Sequence, residues 1–153
     1  MSGASTRLAM SLIGPDYRFE RQLGIGGNGV VILARHDTLD RLVAVKTILT
    51  AAADGPAHAR LRREGRTLAA LGHPNILDVY RMIDAQDAVA LITEYVSGGD
   101  LDHALRRTTL PGSRLTEMLC QVASALVAAH TVGIVHRDIK PANILLDGTT
   151  RAV

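Results

Sequence analysis

The chain has 153 residues, 47% hydrophobic and 21% charged, the profile of a globular chain carrying about one domain. Its 17 basic and 15 acidic residues are dispersed, and a formal charge of +2 is too small and too mixed to argue for nucleic acid or a membrane surface as partner. A single cysteine, Cys120, excludes an internal disulfide and points to a reducing compartment, the cytoplasm.

The segment Met1 to Ile13 lacks the long apolar core and small-residue cleavage pattern of a signal peptide, and residues 1–16 read as a poorly ordered N-terminal extension. No stretch approaches the roughly 18 apolar residues of a membrane span, so no membrane segment is expected in this chain. From Tyr17 onward, partial alternation at Tyr17, Phe19 and Leu23 gives way to runs rich in Val, Ile and Leu. These runs, Val30 to Ala34, Leu42 to Leu49, Ile76 to Ile83 and Ala88 to Tyr95, complete five predicted strands. Between the third and fourth strands, Pro56 suits a helix first turn, and Leu61, Leu68 and Leu71 share a face until Gly72 and Pro74 stop it. After Gly98-Gly99, Asp100 is placed to cap a short helix through Arg107. A longer helix is predicted from about Arg114 to Thr131, with Leu115, Met118, Leu119, Val122, Leu126 and Ala129 as a buried stripe and Gly133 as its stop.

Chemistry concentrates in a few places. In Gly24-Ile25-Gly26-Gly27-Asn28-Gly29-Val30-Val31 the glycines let the backbone approach phosphates. A dinucleotide fold would open a helix after the third glycine, whereas Val30-Val31-Ile32-Leu33 favours a strand, so a hairpin folded over phosphates fits better. Taken alone, an ordinary glycine-rich turn is the better reading. In Val43-Ala44-Val45-Lys46, alternation puts Ala44 and Lys46 on one strand face. A flat ring can pack beside the alanine while the ammonium reaches phosphates of the same ligand; a lysine pointing to solvent is the commoner alternative. Glu64 lies on the apolar side of its helix and needs a partner, which makes a Lys46–Glu64 ion pair economical. A solvated glutamate among Arg60, Arg62, Arg63 and Arg66 is the competing reading. Finally, His136-Arg137-Asp138-Ile139-Lys140-Pro141-Ala142-Asn143 is a dense polar cluster between short apolar arms, as expected of a loop that holds chemistry.

This last segment resembles the catalytic loop of protein kinases, His-Arg-Asp-Leu-x-x-x-Asn, with Ile139 in place of leucine. Gly-rich loop, strand lysine, helix glutamate and catalytic loop also follow in the kinase order, so the resemblance covers roughly Tyr17 to Val153. Lys140-Pro141-Ala142-Asn143 is similar to the Ser/Thr branch, especially its bacterial eukaryotic-like members. The resemblance implies an α+β, protein-kinase-like fold. Residues 17–93 would form a complete five-stranded N-lobe with its αC helix, the stretch bearing Glu64; residues 94–99 would be the hinge. Residues 100–153 would supply the first helices and catalytic loop of a truncated C-lobe.

The implied activity is ATP-dependent phosphorylation of protein serine and threonine hydroxyls, with ATP and Mg²⁺ bound. Asp138 would accept the proton of the substrate hydroxyl and orient it, Lys140 would steady the transferring phosphoryl group, and Asn143 would hold Mg²⁺, with Lys46 and Glu64 completing the catalytic set. Gly24, Gly26 and Gly29 would cover the phosphates. Leu23, Val31, Ala44 and Leu145 would sandwich the purine, and backbone groups of Glu94 and Val96 would bind it. Thr93 would be the gatekeeper and Asp100 would face the ribose. His136 would be structural, and Arg137 would receive a phosphorylated activation loop. A protein substrate with a Ser/Thr acceptor is the implied partner, and pairing of two kinase copies in the parent protein is a further expectation.

The family places its Asp-Phe-Gly motif about a dozen residues after the loop asparagine, just past Val153. The chain therefore reads as a fragment ending before that motif, and little or no phosphoryl transfer is expected of these residues alone, without the principal magnesium carboxylate. Gly65 costs its helix ~1 kcal/mol relative to alanine. The alternative function is a truncated, catalytically inert module that binds nucleotide or a partner.

Overall fold

A computed structural model describes residues 2–26, 29–49, 71–85, 88–148 and 151–153. They fall into two compact units, one drawn from residues 1–70 and 78–95, the other from 71–77 and 96–153. Glu64 with its predicted helix, and Gly27 and Asn28 at the tip of the glycine-rich loop, lie outside the described residues.

In the first unit, strands β1 (Tyr17–Gly26), β2 (Gly29–His36), β3 (Arg41–Leu49), β4 (Val79–Ala85) and β5 (Ala88–Glu94) form an antiparallel sheet in the order β1-β2-β3-β5-β4. Alternation decides its faces. Val30, Ile32, Ala34, Val43, Val45, Ala90 and Ile92 are at most 1% exposed and make one continuous apolar face. Thr47 continues that row, and its buried Oγ1 finds no partner among the described residues. The β2–β3 turn closes through Asp40, at φ 44°, a left-handed value that aspartate tolerates better than most residues. Strand β4 starts at Val79 and not at Ile76, as the sequence suggests, because the Ile76 N–H is used in a turn, donating to the His73 carbonyl at 3.0 Å.

Residues 1–16, expected to be a poorly ordered extension, instead contain helix α1 (Ser2–Ile13), which covers the apolar face. Thr6, Ala9, Met10 and Ile13 recur at helical spacing, with Ala9 and Ile13 buried against the sheet. A helix of this length is marginal in water, so its stability comes from that packing. Gly14, at φ 89°, ends it and donates its N–H to the Met10 carbonyl.

The second unit contains α2 (Leu101–Arg107), α3 (Gly112–Thr131) and a single 3₁₀ turn (Pro141–Asn143). Asp100 caps α2 as its position suggests, its side chain accepting the His103 N–H at 2.8 Å. Leu101, Met118, Ile144, Leu146 and Ala152 are the core, with Ala104, Leu110 and Val122 against it. Leu119, assigned by spacing to the buried stripe, is 65% exposed. It sits one residue, about 100° of helix rotation, from Met118, and lines the open apolar groove beside the core with Leu101, Leu115 and Ile144 instead of entering the core itself. No helix among the described residues is long and apolar enough to cross a membrane.

Candidate active site

Register sorts the first unit's candidates. Val31 pairs with Gly24 and Lys46, and Ala44 pairs with Thr93. Opposed residues of an antiparallel ladder point to the same side, so Gly24, Val31, Ala44, Lys46 and Thr93 line the face away from α1. Lys46 is exposed; Val31, Ala44 and Thr93 are half-buried. Leu33, opposite Ala44, and Leu91, opposite Lys46, join the same face. Sequence reasoning missed both, because only the register between strands identifies them. Leu23 lies at the β1 irregularity between Gln22 and Gly24.

Gly26 pairs with Gly29, bringing the two arms of the glycine-rich hairpin together. At Gly29 an added Cβ would sit 1.8 Å from the Thr47 carbonyl oxygen, so the backbone of β3 itself demands glycine there. At Gly24 an added Cβ would meet nothing within 4 Å. The Glu94 N–H is committed to the Asp78 carbonyl at 2.9 Å, and Glu94 Oε1 accepts the Asp78 N–H at 3.1 Å. Its own carbonyl accepts from Thr93 Oγ1 at 3.0 Å. The proposed ion-pair partner of Lys46, Glu64, lies outside the described residues.

The second unit gathers the loop chemistry. Arg137 takes φ 65°, a left-handed value unusual for its type, and reverses the chain so that Asp138, Lys140 and Asn143 converge. Lys140 Nζ lies 2.8 Å from Asp138 Oδ2, and Asn143 Nδ2 donates to the same oxygen at 2.9 Å and to the Asp138 carbonyl at 2.8 Å. The Asp138 N–H donates to His136 Nδ1 at 3.3 Å, so His136 supports the loop. Pro141 opens the 3₁₀ turn, where its missing N–H costs nothing, and the Asn143 N–H returns to the Lys140 carbonyl. The loop then enters the core at Ile144 and Leu146; Leu145 between them bridges Asp100.

The hydrogen bonds from Lys140 and Asn143 hold the Asp138 carboxyl below its ordinary range, with the nearby charge of Lys140 and His136 adding to the effect. It is therefore a carboxylate at neutral pH, with Oδ2 occupied and, among the described residues, Oδ1 open to accept from a hydroxyl. Val96 is buried in this unit, while Asp100 has its Oδ1 engaged in the helix cap. Among the described residues no three His, Cys, Asp or Glu side chains converge to hold a metal. Asn143 directs its amide nitrogen to Asp138, which leaves its hard amide oxygen for a cation. That suits a magnesium ion taking its other ligands from phosphate and water, and does not suit one caged by protein alone.

The family model of the protein kinase domain matches residues 17–153. Serine/threonine-protein kinase PknJ of Mycobacterium tuberculosis (strain ATCC 25618 / H37Rv) is 41% identical over 131 residues, 85% of this chain and 22% of that protein. Serine/threonine-protein kinase pkn3 of Myxococcus xanthus is 40% identical over 134 residues, 86% of this chain and 24% of that protein. Serine/threonine-protein kinase PknH of Mycobacterium tuberculosis (strain CDC 1551 / Oshkosh) is 36% identical over 148 residues, 95% and 24% respectively. The chain thus spans about a quarter of the length of these relatives.

Proposed function

The chain belongs to the protein kinase family, and from that premise we propose that it carries the nucleotide-facing sheet and catalytic loop of an ATP-dependent protein serine/threonine kinase. The observation that carries the proposal is the convergence of Lys140 and Asn143 on one oxygen of Asp138. A carboxylate held ionised with its other oxygen open is a hydroxyl acceptor. Asp138 Oδ1 would take the hydrogen bond of a substrate serine or threonine hydroxyl and aim its oxygen at the terminal phosphorus of ATP. Because its proton affinity is lowered, Asp138 serves chiefly to orient the hydroxyl, receiving the proton as the phosphoryl group departs from ATP.

An ammonium has three donors, so the Asp138 contact does not exhaust Lys140, which would offset charge on the transferring phosphoryl oxygens. In this reading Lys46 contacts the phosphates of ATP, and Val31, Ala44, Leu23 and Leu145 contact its purine. The Glu94 carbonyl and Val96 backbone address the purine edge, Thr93 limits its pocket, Asp100 meets the ribose, and Gly24, Gly26 and Gly29 cover the phosphates. Asn143 would hold Mg²⁺ through its amide oxygen, and the bound ion supplies charge neutralisation along the phosphate chain. A cytoplasmic location and a protein partner with a Ser/Thr acceptor belong to the same proposal.

Thermal unfolding and calorimetric titration of the chain with ATP and Mg²⁺ test the nucleotide part. The proposal expects ATP to raise the unfolding temperature and Lys46→Met to weaken binding by about 10- to 100-fold, the loss of a charge-assisted contact. An unfolding temperature indifferent to ATP, or binding indifferent to Lys46, contradicts it.

A further inference from the structure

Residues 151–153 run antiparallel to residues 145–147. Leu145 and Val153 exchange N–H···O bonds at 2.7 and 2.9 Å, and the Asp147 N–H donates to the Arg151 carbonyl at 3.2 Å. Between these pairs Leu146 faces Ala152, a position at which an antiparallel ladder turns the peptide groups outward, away from the partner strand. Ala152 is fully buried, and outward-turned peptide groups in a buried strand are costly if unmade. Two side chains satisfy them. Gln121 Oε1, from the middle of α3, accepts the Ala152 N–H at 2.6 Å. Asn75 Nδ2, from the turn in residues 71–77, donates to the Ala152 carbonyl at 2.8 Å and to Gln121 Oε1 at 3.3 Å. The three groups close a ring. The same turn is held twice more, by His73 Nε2 lying 3.1 Å from Ser124 Oγ and by Arg151 Nε donating to the Pro74 carbonyl.

We infer that Asn75 and Gln121 act as positioning residues for the catalytic loop, taking the place of a third strand and fixing the paired segments 145–147 and 151–153 on α3. The inference rests on the kinase reading above. Asn143 lies two residues before Leu145, and its amide nitrogen is what ties Asp138 in place. Residues 144–146 are also locked on their other side, with the Leu146 N–H on the Gly99 carbonyl and the Leu101 N–H on the Ile144 carbonyl. Releasing Ala152 removes one of these two restraints, and the displacement is transmitted along Leu145 and Ile144 to the amide oxygen that Asn143 offers to magnesium.

Two variants of the chain separate positioning from general stability. Gln121→Met keeps side-chain length and helix propensity but removes the accepting oxygen, whereas Gln121→Glu keeps that oxygen. The measurements are amide hydrogen exchange at Ala152 and the ratio of ATP affinities with and without Mg²⁺. For Gln121→Met the expected result is about tenfold faster exchange at Ala152 and about tenfold loss of the Mg²⁺ enhancement, the effect of one buried hydrogen bond, with metal-free ATP affinity unchanged. Gln121→Glu retains both properties. An unchanged Mg²⁺ enhancement in Gln121→Met, or equal weakening of both nucleotide forms, overturns the positioning role. If the unsubstituted chain binds ATP but gains nothing from Mg²⁺, the magnesium role of Asn143 fails and the positioning role falls with it; a defect confined to the variants leaves the magnesium role of Asn143 intact.

Discussion

Two donors on one oxygen define what Asp138 can do. Lys140 and Asn143 stabilise its charged form, so its proton affinity in the folded chain lies below that of an ordinary aspartate. The sign follows directly: a depressed folded pKa contributes stability that is present above the ordinary carboxylate range and lost as pH falls through the depressed value. Acid sensitivity at pH values above the ordinary range therefore does not originate in Asp138. Carbon-13 NMR titration of the Asp138 carboxyl checks this, with a midpoint below the ordinary range in the unsubstituted chain and a rise in Lys140→Met. A midpoint that ignores Lys140 contradicts the pairing. These residues were legible in the sequence because they are contiguous: His136 to Asn143 carries its chemistry in one run. Leu33 and Leu91 were not, because their place beside Ala44 and Lys46 depends on which residues face each other across strands. Gly29 was legible for a different reason from the one that applies within the sheet, where the Thr47 carbonyl leaves no room for a Cβ.

Elements followed their periodicity where one face is apolar and the other is not. The β2, β3 and β5 strands were readable from β-branched runs, and α3 from its stripe. Helix α1 was not, since its inward row includes the half-buried Thr6 and the small Ala9, and it has no acidic residue in its first turn to mark a start. Within α3, adjacent residues have opposite environments: Met118 is 3% exposed and Leu119 is 65% exposed. Met118→Ala is expected to cost about 2–5 kcal/mol by emptying a core site. Leu119→Lys should change stability by no more than about 0.5 kcal/mol. Urea unfolding of both variants measures the contrast, and equal losses would mean that α3 packs through a different face from the one described.

At the scale of the molecule, fold class was readable because five strands followed by helices and a polar loop occur in the kinase order. The division of the chain was less so. Residues 71–77, assigned by the sequence to the strand-rich half, belong to the second unit, where Asn75 and His73 bond to α3. Long-range hydrogen bonds of this kind leave no periodic trace. The proposed function draws Lys46 and Thr93 from one unit and Asp138 and Asn143 from the other. Its most direct test is transfer of labelled phosphate from ATP to a protein acceptor by the complete protein that carries this chain, with and without Asp138→Asn. The predicted result is label on serine and threonine, reduced about 10²- to 10⁴-fold by the substitution. No transfer by the unsubstituted protein, or transfer that Asp138→Asn leaves undiminished, would contradict the account.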